Sequence, residues 1–232
     1  MYADRLFAPV DADLRMQRIA GGNETEVYCT DDRRHVVKVK SAKMTDSVEE
    51  ALARACLLRS AARDFTEALG PRYTIPNYFF VARDSAGQAK PVVVQPYVCN
   101  ARSLCAVDYP ALGADERKRI AAQLREIIRR SLGFYLRTGR MPDLYGRVNR
   151  NRAERRRSNS LLRLPERMWS FLVQRTLLRS HNLLLTAPPG RRILLVDYDP
   201  VQKGRLYRTL YYAARVVLFL RDWVLIRRME NG

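Results

Sequence analysis

Histidine is almost missing from this sequence: of 232 residues, only His35 and His181 carry an imidazole. A multi-histidine metal centre is therefore excluded, and a histidine-based nucleophilic triad has just two candidates. Cysteine is sparse as well. Cys29, Cys56, Cys99 and Cys105 are scattered, without the close paired spacing of a zinc ribbon or a redox motif, so a reducing cytoplasm is the expected setting. Uninterrupted apolar runs are lacking. The opening MYADRLFAPVDADL has no basic-then-apolar order, which leaves no signal peptide to expect. The most apolar late segment, 210–226, contains Arg215, Arg221 and Asp222, whose cost inside a bilayer argues against a transmembrane span. It reads as a buried helix. Acidic residues are few, 24 against 42 lysines and arginines, and the net charge of +18 favours anionic partners such as phosphorylated substrates, nucleic acid or acidic lipid. A solvated arginine-rich surface would give the same composition, so the charge alone does not choose among them.

What is present is the material of a globular chain. Apolar residues make up 47% and charged residues 28%, enough to bury a core in one large domain or two closely joined lobes. MQRIA, EVYCT and HVVKVK read as a meander of strands, and a helix starts near Asp46, where Asp46 and Glu49 have capping-box spacing. YFFVAR and PVVVQPYV are two further strands. After them Ile120, Leu124, Ile127, Ile128, Leu132 and Tyr135 recur at helical spacing, which predicts a helix from about Asp115 to Thr138 ended by Gly139. MPDLYG leaves that helix. The arginine-rich RVNRNRAERRR precedes an amphipathic stretch in which Trp169, Leu172, Val173 and Leu177 share a face, and NLLLT and RILLVDYD form a hairpin before the last helix.

Five short motifs carry chemistry by their fixed order: AGGNETEV, HVVKVK, PVVVQPYV, MPDLYG and NLLLTAPPGRRILLVDYDP. In that order they resemble the protein-kinase-like superfamily, in particular its compact aminoglycoside-phosphotransferase-type branch, over most of the chain from Met16 to Phe219. The resemblance implies an α+β, two-lobed protein-kinase-like fold. Its N-lobe, 1–98, would be an antiparallel sheet plus one helix; its reduced, mainly helical C-lobe, 99–232, would carry a basic insertion at about 147–180. Nucleotide would bind between the lobes.

The resemblance also implies roles for particular residues. Gly21 and Gly22 would form the phosphate loop, with Thr25 where a last glycine is usual, and Lys38 would hold ATP phosphates. Lys40 shares the Lys38 face by alternation. Glu50 or Glu49 would supply the lysine's carboxylate, and Glu50 is favoured because Ala53 and Leu57 continue its face. Backbone groups of Tyr97 and Val98 would meet the adenine edge, since Pro96 has no N–H. Asn182 and Asp197 would bind magnesium, with Asp199 as a second contact, and Asp143 would orient or deprotonate an acceptor hydroxyl. Met141 and Pro142 depart from the family's usual neighbours of that aspartate. Asn149 competes with Asn182, although no hairpin follows it.

The expected activity is ATP- and magnesium-dependent phosphoryl transfer to a hydroxyl of a small molecule, because too little chain separates Asp199 from the final helix for a peptide-docking segment. One alternative is a pseudokinase, a nucleotide-binding interaction module. The other is a binder of nucleic acid or acidic membranes, in which Arg147, Arg150, Arg152, Arg155, Arg156 and Arg157 contact the anionic partner.

Overall fold

Alternating side chains build the first half of the chain. The computed structural model describes residues 16–21, 25–40, 47–83, 87–146, 175–200 and 204–231. Within them β1 (Met16–Gly21), β2 (Thr25–Thr30), β3 (His35–Lys40), β4 (Tyr78–Arg83) and β5 (Ala89–Pro96) form an antiparallel sheet ordered β1-β2-β3-β5-β4. The DDRR turn between β2 and β3 closes through Thr30, whose hydroxyl donates to Asp32 Oδ1 at 2.6 Å and accepts from the His35 amide at 3.1 Å. Arg33 takes a positive φ of 51° there.

Helix α1 (Val48–Leu69) follows. Its cap is Ser47, whose hydroxyl accepts the Glu50 amide at 3.1 Å. Asp46, the expected cap, lies outside the described residues. Ala51, Ala55, Leu58, Ala62, Phe65 and Leu69 make its buried face.

The second half is mainly helical. In α2 (Ala114–Thr138), Ile120, Leu124, Ile127 and Ile128 are buried as their spacing predicts, and Ser131 and Phe134 complete the face where Leu132 and Tyr135 are half-buried. Gly139 ends the helix with φ 65°, its N–H donating to the Tyr135 carbonyl at 2.8 Å. The expected hairpin is β7 (Leu183–Leu185) with β8 (Ile193–Leu195), and a short β6 (Arg102–Ser103) pairs with β7 to give a three-stranded sheet. Helix α3 (Arg205–Asn231) packs on α2, with the Tyr135 and Tyr212 rings 5.6 Å apart and Arg125 in a bidentate pair with Glu230 at 2.5 and 2.9 Å.

Two corrections concern α3 and its predecessor. The segment read as a buried helix buries only one side: Tyr212, Arg215, Leu218, Phe219, Asp222 and Ile226 are inside, while Leu210, Val217, Leu220 and Val224 face solvent. Leu177, expected in an amphipathic helix, lies instead in a 3-10 turn, Leu177–Arg179, where it is buried. The rest of that stretch, with Trp169, Leu172 and Val173, and the arginines from Arg147 to Arg157 lie outside the described residues. Among the described residues no helix is long and apolar enough to cross a membrane.

The fold is α+β and divides into two units. The first contains the described residues up to Ser60 together with Pro76–Val98, and so the five-stranded sheet and the start of α1. The second contains Ala61–Ile75 and all the described chain from Cys99 onwards.

Candidate functional site

In the second unit, the chain leaving α2 is held in a defined loop by hydrogen bonds around Asp143. The Tyr145 amide donates to Asp143 Oδ1 at 3.1 Å, and the Asn182 side-chain amide donates to the Asp143 carbonyl at 2.8 Å. The Ser180 hydroxyl donates to the Leu144 carbonyl at 2.5 Å, and the Asn182 amide donates back to that hydroxyl at 3.0 Å. MPDLYG is thereby tied to the residues that open β7. Gly146 is required by this contact, because a Cβ there would lie 1.9 Å from Asn182 Oδ1.

The same asparagine joins the loop to the other end of the hairpin. Val196 donates its amide to the Asn182 carbonyl at 2.9 Å, extending the β7–β8 pairing, so Asp197 follows one residue beyond the Asn182 partner. Tyr198 anchors the DYD turn. Its buried hydroxyl accepts the Ile75 amide and donates to the Leu195 carbonyl, both at 2.9 Å. With the ring inside, Asp197 and Asp199 flank it at half-buried positions, and the Asp199 amide donates to Asp197 Oδ1 at 3.3 Å. Asp143 and Asn182 are thus joined directly by a hydrogen bond, and Asp197 follows the residue whose amide pairs with Asn182.

Sequence reasoning missed a deeply buried charged member of the site. Arg215 on α3, 2% exposed, donates through Nη2 to Asp143 Oδ1 at 3.1 Å and to the Tyr211 hydroxyl at 2.6 Å. Its guanidinium lies 4.1 Å from the centre of the Tyr145 ring and 4.7 Å from that of Tyr211. Burial alone would lower the Arg215 pKa, but Asp143 and Tyr211 outweigh it and hold the group above its ordinary value. Burial raises the Tyr145 and Tyr211 hydroxyls, with Asp222 adding to the first and Asp143 to the second. The available signal was a charged residue inside the most apolar segment, which pointed away from a membrane span and equally toward a buried ionic partner. Both hydrogen bonds to the Asp143 carboxylate go to Oδ1; Oδ2 accepts none among the described residues.

The first unit holds the lysine. Strand β3 is central in its sheet, so Lys38 is not an edge lysine; it is 8% exposed and stands opposite Val27 and Val93. Lys40 is buried on the same face and donates to the Thr25 hydroxyl at 3.1 Å. Gly21 ends β1 opposite Glu26, and Gly22 lies outside the described residues. The expected helix carboxylate is not found: Glu50 is exposed with Ala53 and Leu57, because the buried face of α1 runs through Ala51, Ala55 and Leu58. Glu49 is exposed too, and its carboxyl is held below the usual range by its own backbone amide and by Ser47. Neither glutamate makes an ion pair with Lys38. The Tyr97 amide is already used, donating to the Arg34 carbonyl at 2.7 Å, which leaves Val98 as the backbone donor beyond β5.

Among the described residues no group of three or more His, Cys, Asp or Glu side chains gathers to hold a metal. Magnesium asks for less, one or two carboxylates with phosphates and water completing the shell. Asn182 Oδ1 and the carboxylates of Asp197 and Asp199 are hard oxygen donors, and in that respect the residues fit the ion. Two clefts of this unit, of about 590 and 570 Å³, are lined by other residues, so hydrogen-bond geometry rather than enclosure recommends the Asp143 cluster. No protein-family model matches the chain, and no curated protein is significantly similar to it.

Proposed function

We propose that the chain is a kinase-like phosphotransferase that uses ATP and magnesium to phosphorylate a hydroxyl of a small molecule. The observation that carries this reading is the 2.8 Å bond from the Asn182 amide to the Asp143 carbonyl, across 39 residues of sequence. It joins the two motifs that the resemblance assigns to acceptor and metal. Bound ATP supplies the electrophilic phosphorus, and magnesium offsets charge on its phosphates.

The chain's own residues would do the rest. Asp143 Oδ2 receives the hydrogen bond of the acceptor hydroxyl and its proton as the oxygen attacks. Asn182 Oδ1 and Asp197 offer metal ligands, with Asp199 beside them. Lys38 is assigned to the nucleotide phosphates and the Val98 amide to the adenine edge. Because α3 begins at Arg205, directly after the DYD turn and its short connector, a small acceptor suits the chain better than a protein. A reducing cytoplasm, where ATP is available, belongs to the same proposal.

A second reading, the pseudokinase, has its own support. Arg215 occupies one oxygen of Asp143, and Glu49 and Glu50 of α1 are exposed. Calorimetry with and without magnesium separates the two. The enzyme requires magnesium-dependent ATP binding that Asp197→Ala abolishes, and slow ATP turnover that Asp143→Ala abolishes. Binding without turnover selects the module; no binding at about millimolar ATP removes the nucleotide from either account.

A further inference from the structure

One face of α3 is both apolar and uncovered by the described residues. Tyr207, Leu210, Ala213, Val217, Leu220 and Val224 are spaced by three and four residues, so they share a face, and all are exposed. Leu210, Val217 and Leu220 are 63%, 65% and 68% exposed, and Trp223, also exposed, lies at the margin. At 1.5 Å per residue the stripe runs for about 25 Å. Single exposed apolar residues are ordinary, but a contiguous row of this length marks a contact surface.

Charge identifies the occupant. Helix α3 contains six arginines and only two acids, and both acids are engaged: Asp222 is buried against Arg221, and Glu230 is paired with Arg125. Arg227 and Arg228 are exposed at the C-terminal end of the stripe, and Lys118 adds positive charge beside Glu230. A second copy of the chain would bring the same net charge of +18 against this face. Nucleic acid would satisfy the arginines and leave the leucines and valines in water. An anionic head-group layer above an acyl boundary satisfies both. The helix is not apolar enough to span a bilayer, but lying in its interface asks only for one apolar face, cationic flanks and an aromatic at head-group depth.

We propose that α3 is an interfacial helix that docks the protein on anionic phospholipid membranes, burying the 207–224 stripe while Arg227 and Arg228 meet lipid phosphates. This docking is independent of the phosphotransferase reading.

The test uses the full chain carrying Trp169→Phe, so that Trp223 is its sole tryptophan. It is mixed with phosphatidylcholine vesicles with and without phosphatidylglycerol. Flotation with the anionic vesicles, a blue shift of Trp223 emission and release by salt are expected. The double variants Val217→Glu/Leu220→Glu and Arg227→Glu/Arg228→Glu each lower partitioning more than about tenfold, while circular dichroism and melting match the parent because all four side chains are exposed. Failure to bind anionic vesicles overturns the proposal. So does binding that survives Val217→Glu/Leu220→Glu yet disappears on Arg155→Gln/Arg156→Gln/Arg157→Gln, which would seat it in the arginine-rich stretch. A dimer in sedimentation that the Val217/Leu220 variant dissolves, with vesicle binding unchanged, would give the face to a second copy; RNA binding lost in that variant without any vesicle binding would give it to nucleic acid.

Discussion

Gly146 and Asn182 show how one residue can fix a site through what it does not carry. A methyl group at 146 would stand 1.9 Å from Asn182 Oδ1, which a side-chain rotation relieves, but also 2.9 Å from the Asn182 backbone nitrogen, which cannot rotate away. Gly146→Ala should therefore cost about 1–3 kcal/mol in urea denaturation and displace the amide that holds the Asp143 carbonyl. In an Asn182→Ala background the same substitution should cost measurably less, since the side-chain contact is gone while the backbone nitrogen stays; equal costs in both backgrounds would mean that the backbone contact, not the side-chain clash, is what destabilises. Arg215 is a different case, valued for shape as much as charge. Its planar group lies over two tyrosine rings while Nη2 reaches both Asp143 and Tyr211. Lysine keeps the charge and loses the plane, so Arg215→Lys should lower stability by about 2 kcal/mol, and a melting temperature equal to the parent's would contradict the stacking account.

At the scale of elements, α3 is fastened to α2 near its C-terminus by the Arg125–Glu230 pair. The Glu230 carboxyl lies below its ordinary pKa chiefly because Arg125 donates to it. A lowered carboxyl pKa means that its stabilisation is complete above the unfolded-state value and is lost as pH falls through the folded-state value. Both partners are partly solvated, so the gain is at most about 1 kcal/mol. Glu230→Gln should accordingly be less stable than the parent at neutral pH by up to that amount, and the two denaturation curves should converge once the pH drops below the usual glutamate range. A gap that widened in acid would assign the effect to something other than the ion pair. Helix α1 illustrates the opposite relation, where composition misleads about facing. Its two candidate faces both carry small and apolar residues, Ala53 with Leu57 and Ala51 with Ala55 and Leu58, and only tertiary contact decides that the second is buried.

For the whole molecule, what the sequence disclosed was local and what it withheld was long-range. Strand composition and turn residues located every strand but the two-residue β6, and 3.6-residue periodicity with Gly139 located α2. The position of β3 in the middle of the sheet was not legible, because strand order depends on pairing across distant segments; Lys38 on an edge and Lys38 in the centre read alike. Nor was the Arg215–Asp143 pair, whose members lie 72 positions apart. The exposed stripe of α3 stayed hidden because apolar residues occur all round that helix, so its pattern does not say which side is covered. Charge is the one global property that composition supplies outright, and it has a consequence for stability. A net +18 makes the folded state repel itself, and the charged groups that oppose this are of two kinds. Partly buried pairs such as Arg215–Asp143 are screened much less by ions, while exposed pairs such as Arg129–Glu126 are worth little at any ionic strength. Salt should therefore relieve more repulsion than attraction. The melting temperature at constant pH should rise from low ionic strength to about 0.15 M sodium chloride, where the Debye length has shrunk to about 8 Å, and then level off. A steady fall over that range would mean that exposed ion pairs, not net repulsion, dominate the electrostatics of this chain.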